Sequence, residues 1–336
     1  MKSTRRQALA LLTSAAAMPA AASAIQRTSA RTTPNATRRV GNRVPFIPQT
    51  VRARVIVDND FAGDPDGLVS LAHQLLSEAT RVTLITSLPL NPKFLAPNMA
   101  GRAASIGAGY AQELLNFFHG RKSIPVISGP EAFTGDQVGS SDAARAIVAE
   151  ALREDPLPLF FACGGPLTNL AAALRRGPRI SKRMTVVWIG GGDYPRGAWE
   201  YNMMTDIPAA KYVIEQSRVR LWQVPLNAYR QMQYSVAQMN VTMRRGSRLA
   251  RWLYTHFTHP PAWANVGGTW PLGDSPLVLL TALSSESSVY VERQARRLID
   301  DGSYGDEVPG RSLRVYESVD ARLTFDDMEA LLELHG

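Results

Sequence analysis

The stretch VIVDNDFAGDPDG, residues 55–67, sets a β-branched run directly against four carboxylates, Asp58, Asp60, Asp64 and Asp66. Val55, Ile56 and Val57 read as a buried strand. Alternation along it places Asp58 and Asp60 on one side, Gly63 permits a turn, and Pro65 suits the first position of a following helix. Asp64 then caps that helix, and Asp66 lies in its first turn, where the helix dipole favours negative charge. Capping and dipole effects contribute about 1 kcal/mol each, which accounts for Asp64 and Asp66 but not for Asp58 and Asp60. Carboxylates crowded at an apolar strand end repel and raise each other's pKa values unless a cation or bound protons neutralise them. Oxygen-only ligands point to a hard ion, Ca²⁺ or Mg²⁺. The competing reading splays the acids into solvent or pairs them with Arg52 and Arg54.

Outward from this stretch, short β-branched runs alternate with helical patterns. Strands are expected at 53–58, 81–87, 124–127, 158–162, 185–189 and 219–224, and helices at 66–77, 97–118, 141–153, 167–175 and 207–217. This is the α/β pattern: a single domain over 51–336 with a mainly parallel, Rossmann-like central sheet flanked by helices. A helix at 275–284 and a strand-like 312–316 close it. Segment 234–270 is less regular, with Trp252, Trp263 and Trp270 set among Gly and Pro. In such a sheet, ligands bind where strand carboxyl ends meet helix amino ends, and the opening stretch lies at one of these junctions.

The chain's formal charge of +8 comes from its first fifty residues, which hold eight of the 37 basic and none of the 29 acidic residues. Residues 51–336 are therefore neutral, and the basic balance implies no nucleic-acid partner. Residues 1–24 have a charged start, an Ala/Leu-rich middle and an Ala22-Ser23-Ala24 end, an export signal. Arg5-Arg6 looks like a twin-arginine signal, an ordinary secretory signal being the alternative. A periplasmic or secreted protein is expected, with 25–50 a disordered leader and no membrane span after signal removal. The single cysteine, Cys163, precludes an intramolecular disulfide.

Further stretches fit the first. Gly164-Gly165-Pro166-Leu167-Thr168-Asn169 follows the run LPLFFAC; Ile189-Gly190-Gly191-Gly192 ends another strand; Glu200-Tyr201-Asn202 precedes Asp206-Ile207-Pro208-Ala209-Ala210; and Gly273-Asp274-Ser275-Pro276-Leu277 comes late. In this order and spacing, over about residues 53–325, the set resembles the inosine-uridine-preferring nucleoside hydrolase family. The resemblance implies that fold and a Ca²⁺-dependent enzyme that hydrolyses the N-glycosidic bond of ribonucleosides to free base and ribose. Carried over residue by residue, it implies metal ligation by Asp60, Asp66, the Gly164 carbonyl and Asp274. Asp60 would also be the general base for the attacking water. Asp64, Asn91, Glu200 and Asn202 would hydrogen-bond the ribose hydroxyls, with Asp58 orienting the groups around the ion. The partner is a small nucleoside, and self-association is left open.

Two departures qualify the match. The family has adjacent aspartates in its first motif, whereas here Pro65 separates Asp64 from Asp66. Asp66 aligns as the ligand because the helix LVSLAHQLL follows it in register, with Asp64 as the alternative. Many members carry a His before the last metal aspartate to protonate the leaving base; here Gly273 stands in its place. Trp199, Tyr254, Trp263 and Trp270 are candidates for an aromatic wall beside the base, Trp270 foremost, and His256 and His259 are candidates for the missing acid. Two other readings stay open. One is an exported nucleoside-binding protein of the same fold without turnover. The other is a phosphatase of the haloacid-dehalogenase type using Asp58 as nucleophile.

Overall fold

The computed structural model describes residues 47–121, 123–133, 141–260 and 266–335. The expected export signal and all but the last four residues of the expected leader lie outside these. In chain order the elements are β1 (Ala53–Asn59), α1 (Asp66–Leu76), β2 (Thr80–Ser87), α2 (Ala103–Leu115), β3 (Val126–Ser128), α3 (Asp142–Leu152) and β4 (Leu159–Cys163). There follow α4 (Thr168–Arg176), β5 (Met184–Ile189), α5 (Tyr201–Thr205), α6 (Ile207–Lys211), β6 (Arg220–Val224) and α7 (Leu226–Tyr229). The remainder is β7 (Gln233–Ser235), α8 (Val236–Thr242), α9 (Arg248–Phe257), β8 (Thr269–Pro271), α10 (Pro276–Val278), β9 (Val289–Leu298), β10 (Tyr304–Ser318) and α11 (Ala321–Leu334).

The main sheet runs β3-β2-β1-β4-β5-β6-β10-β9, parallel throughout except for the antiparallel edge strand β9. Chain direction across the sheet reverses between β1 and β4, which opens a crevice at their carboxyl ends. Side-chain alternation fills both faces, as expected of a doubly covered parallel sheet. Val55, Val57, Ala162 and Val187 pack in one core layer with Leu68 and Leu71 of α1, whereas Ile56, Phe161, Val186 and Trp188 pack in the other with Leu170 and Leu174 of α4. Register then aligns the motif ends: Asp58 lies beside Cys163, and Cys163 beside Trp188.

The six strands expected up to residue 224 are all present. The helix expected over 97–118 starts only at Ala103, because Pro92 and Pro97 open short 3-10 turns and Gly101 turns the chain at φ +67°. Segment 234–270 is more ordered than its sequence suggests: β7 and β8 form an antiparallel pair around α8 and α9. The strand expected at 312–316 belongs to a longer ribbon in which β10 pairs with β9. Among the described residues no helix is long and apolar enough to cross a membrane.

Arg52 and Arg54 do not serve the acidic cluster. Arg52 Nη2 donates to the carbonyls of Ala282 and Leu283. Arg54, only 4% exposed, donates from Nη1 to Glu150 Oε1 at 2.7 Å and to the Glu150 carbonyl. This ties the start of β1 to the end of α3, at the opposite end of the strand from Asp58. Replacing Glu150 with Ala removes the direct ion-pair partner of that buried guanidinium, and urea denaturation at pH 7 is expected to register a loss of about 3 kcal/mol.

Candidate active site

The carboxyl end of β1 is held by polar groups at the switch point. Asp58 is fully buried, and its Oδ1 accepts from Thr86 Oγ1 at 2.7 Å and from Asn169 Nδ2 at 2.9 Å. Burial pushes this carboxyl up to about 7, and the hydrogen bonds oppose the rise. Asp58 is thus enclosed by protein donors and has no approach for a phosphate ester, so the nucleophile role of the phosphatase reading does not fit it. Next along, Asn59 Nδ2 donates to Asp274 Oδ2 at 2.8 Å, a buried bond across 215 residues of sequence.

Asp274 is fastened to α1 as well. Its backbone N–H donates to Asp66 Oδ2 at 3.1 Å, and its carbonyl accepts from Ser70 Oγ at 3.0 Å. Three bonds from the first motif and its helix therefore fix the late aspartate. Asp64 accepts from Trp270 Nε1 at 2.9 Å, while the N–H of Asp66 lies 3.4 Å from the same oxygen. Asp64 is therefore not the helix cap expected of it: Pro65, expected at the first helical position, stands at the cap with helical dihedrals and supplies the first helical carbonyl to Leu68 and Val69, and no side chain caps the helix.

At the end of β4, Gly164 comes so close that a Cβ there would lie 2.3 Å from Asn59 Nδ2 and 2.5 Å from Asp274 Oδ2. Only glycine lets this backbone meet the carboxylates. The Gly164 carbonyl accepts from Asn202 Nδ2 at 3.3 Å, and the same amide donates to the Ile189 carbonyl at 2.9 Å. Glu200, 1% exposed, caps α5: Oε1 accepts from Asn202 N and Tyr229 OH, and Oε2 accepts from Gly191 N and Met203 N. Asn91 accepts from Lys93 N at 3.0 Å and donates to Thr205 Oγ1 at 3.2 Å, and its own N–H donates to Tyr201 OH.

The electrostatics follow from burial. Desolvation first, then Asp274 and other nearby carboxylates, raises the carboxyls of Asp60 and Asp66 well above the ordinary range. Burial lifts Asp274 to about 7 and Asp64 to about 6, with the Asn59 and Trp270 hydrogen bonds opposing the respective shifts. No basic side chain of the described residues figures among the groups that shift these four or Asp58. Among the described residues no three His, Cys, Asp or Glu side chains are gathered into a ready-made metal shell. Asp66 and Asp274 each spend an oxygen on a protein donor instead. In donor type and charge, however, Asp60, Asp66, Asp274 and the Gly164 carbonyl suit a hard divalent cation, and the Gly164 approach provides the cradle.

Over residues 55–324 the sequence matches the profile described as inosine-uridine preferring nucleoside hydrolase. The chain belongs to this family. The inosine-uridine preferring nucleoside hydrolase of Crithidia fasciculata is 27% identical over 190 residues, 52% of this chain and 59% of that protein. A pyrimidine-specific ribonucleoside hydrolase, RihA, of Salmonella paratyphi A is 26% identical over 185 residues, 52% and 57% respectively. The chain thus spans somewhat under three fifths of these curated relatives. Among solved structures, a plant nucleoside hydrolase superposes with TM-score 0.65 at 19% identity, covering 84% of this chain and 99% of that one. An inosine-guanosine nucleoside hydrolase gives 0.66 at 17% identity over the same shares. Both establish the nucleoside hydrolase fold.

Of the residues expected at the family's site, hydrogen bonds or mutual charge effects link Asp58, Asp60, Asp64, Asp66, Gly164, Glu200, Asn202, Trp270 and Asp274. Asn91 joins through Tyr201, the neighbour of both Glu200 and Asn202. Trp270 is 4% exposed, its indole edge-on to Phe257 at 5.2 Å and its N–H spent on Asp64. Trp199 is half exposed beside Phe94, Tyr254 donates to Asn240, and Trp263 lies outside the described residues. His256 packs between Tyr110 and Trp252, His259 bonds Thr258, and neither bonds a residue of the cluster. Asn59, Thr86, Asn169 and Tyr229 were not anticipated. Asn59 and Asn169 lie inside motifs already singled out, but Thr86 and Tyr229 carry no local signal.

Two outcomes are expected of the site. Asn59→Ala frees Asp274 Oδ2 from its one side-chain donor in this arrangement and costs about 2 kcal/mol in chelator-treated protein, read by urea denaturation. The raised carboxyls bind protons in the folded state that the unfolded chain releases above about pH 4. Their contribution to stability is therefore greatest below that pH and is lost as pH rises through about 6 to 7. Thermal melts of chelator-treated protein should show a falling midpoint from pH 5 to pH 8; a rising midpoint would contradict the assigned shifts.

Proposed function

We propose that the protein hydrolyses the N-glycosidic bond of ribonucleosides to free base and ribose, with Ca²⁺ as the resident ion. The observation carrying this is the gathering of carboxylates, without a basic partner among the described residues, at the switch point of a nucleoside hydrolase fold. Asp60, Asp66, Asp274 and the Gly164 carbonyl would hold the ion. When bound, Ca²⁺ supplies the positive charge that keeps these carboxylates ionised, together with coordination room for a sugar diol.

The side chains then divide the work. Asp60, as general base, takes a proton from the attacking water while the bond from the anomeric carbon to the base nitrogen breaks. Positive charge develops on the sugar, and the surrounding carboxylates stabilise that oxocarbenium-like state. Asp64, Asn91, Glu200 and Asn202 orient the sugar through its hydroxyls, and Asp58, pinned by Thr86 and Asn169, fixes the strand end that carries Asp60. The base leaves carrying a proton, so one nucleoside and one water give one ribose and one base. Residues 1–24, read as an export signal, extend the proposal to a periplasmic or secreted enzyme.

A second reading is a nucleoside-binding protein without turnover, favoured by Gly273 and by the absence of a cluster bond from His256 or His259. Release of reducing sugar from inosine, adenosine, guanosine, uridine and cytidine, with Ca²⁺ or with chelator, separates the two. Hydrolysis that chelator abolishes, and a loss of about a thousandfold in Asp274→Asn, is expected of the enzyme. Binding of ribose without its release would leave only the second reading.

A further inference from the structure

Tyr229 reaches the candidate site from α7 and touches both of its walls. Its hydroxyl donates to Glu200 Oε1 at 3.1 Å. Its ring lies against Gly273: a Cβ on that glycine would sit 3.2 Å from Tyr229 Cδ2 and 3.5 Å from Asp66 Oδ2. Gly273 does not have a positive φ, so its lack of a side chain answers to packing and not to backbone conformation. The phenol therefore spans from the Asp66–Asp274 wall to the Glu200 wall.

The connection is closed on the other side by backbone. Gly191 donates its N–H to Glu200 Oε2, and its carbonyl accepts from Leu226 N at the head of α7. Glu200, Gly191, α7 and Tyr229 form a ring of contacts that returns to the same carboxylate. Among the described residues, three of the four donors to Glu200 are backbone N–H groups of Gly191, Asn202 and Met203; Tyr229 supplies the fourth, the only one of these from a side chain. Burial and the Glu200 carboxylate raise the Tyr229 phenol well above its ordinary range, so the proton stays on Tyr229 and the bond runs from phenol to carboxylate.

We propose that Tyr229 is a positioning residue for the sugar: it fixes the orientation of Glu200 across the pocket from Asp66 and Asp274, and Gly273 exists to admit its ring. This rests on the reading of Glu200 as a sugar-binding carboxylate. Tyr229→Phe keeps the ring and removes only the donor. It should raise KM for inosine about tenfold, the equivalent of one hydrogen bond to a charged group, with kcat within about twofold and the melting temperature nearly unchanged. Gly273→Ala sets its Cβ 3.2 Å from the ring, so the phenol must give by a few tenths of an ångström and its bond to Glu200 is strained; KM should rise, by no more than in Tyr229→Phe. Since both changes act on one contact, the double variant should be no worse than the poorer single variant.

An unchanged KM in Tyr229→Phe overturns the proposal, as does a fall in melting temperature with KM unchanged, or KM effects that multiply in the double variant. If the wild-type protein turns over none of the nucleosides, the hydrolase reading fails by itself. Tyr229 is then tested by calorimetric binding of D-ribose in Ca²⁺, where Tyr229→Phe should weaken affinity about tenfold. Equal affinity in the two proteins, or no ribose binding to the wild type, overturns the assignment.

Discussion

Four buried carboxylates and the half-buried Asp64 gather at the carboxyl ends of parallel strands, with no basic side chain of the described residues among the groups that shift them, and the surrounding structure is arranged around that cost. A buried, unpaired carboxylate is among the least favourable groups a protein interior can hold. Here the cost is met in two ways. Asp58 is enclosed by Thr86 and Asn169, which makes it a fixed part of the scaffold. Asp60, Asp64, Asp66 and Asp274 are left with raised pKa values and partly satisfied oxygens, a state that a hard cation relieves.

The supports of this cluster come from distant parts of the chain. Asn59 and Ser70 reach across more than two hundred residues to the side chain and the carbonyl of Asp274. Gly164 brings the end of β4 against the same group, and Trp270 holds Asp64. On the far wall, Glu200 is held by three backbone N–H groups and one phenol, so its geometry is set before any ligand arrives. Pre-organisation of this kind places oriented oxygens where a cationic sugar would develop and avoids reorganisation during the reaction.

Much of the architecture was legible because period and composition are local properties. The runs that became β1 to β6 alternate between two buried faces, and the acid-rich turn after Val57 sits at a strand end as its spacing implied. Strand β9, the first part of β10 and helices α8, α9 and α11 were not read; only 312–316 of the ribbon was. β9 is an edge strand whose exposed positions carry Arg and Glu, which masks a two-residue period, and α8 and α9 are short pieces between Gly and Pro. Arg52 and Arg54 show the limit most plainly: they are near Asp58 in sequence, yet a strand carries its two ends apart, and Arg54 pairs with Glu150.

The sequence by itself determined the parallel α/β arrangement, the carboxylate-rich turn and the family motifs, because these depend on residue type at fixed short spacing. Only the tertiary structure decided which groups meet: that Asn59 grips Asp274, that Asn169 and Thr86 enclose Asp58, and that Tyr229 fills the space beside Gly273 and bonds Glu200. Those contacts are made between strand ends and loops far apart in the chain, where position is fixed by sheet register and core packing, and no local pattern encodes either partner.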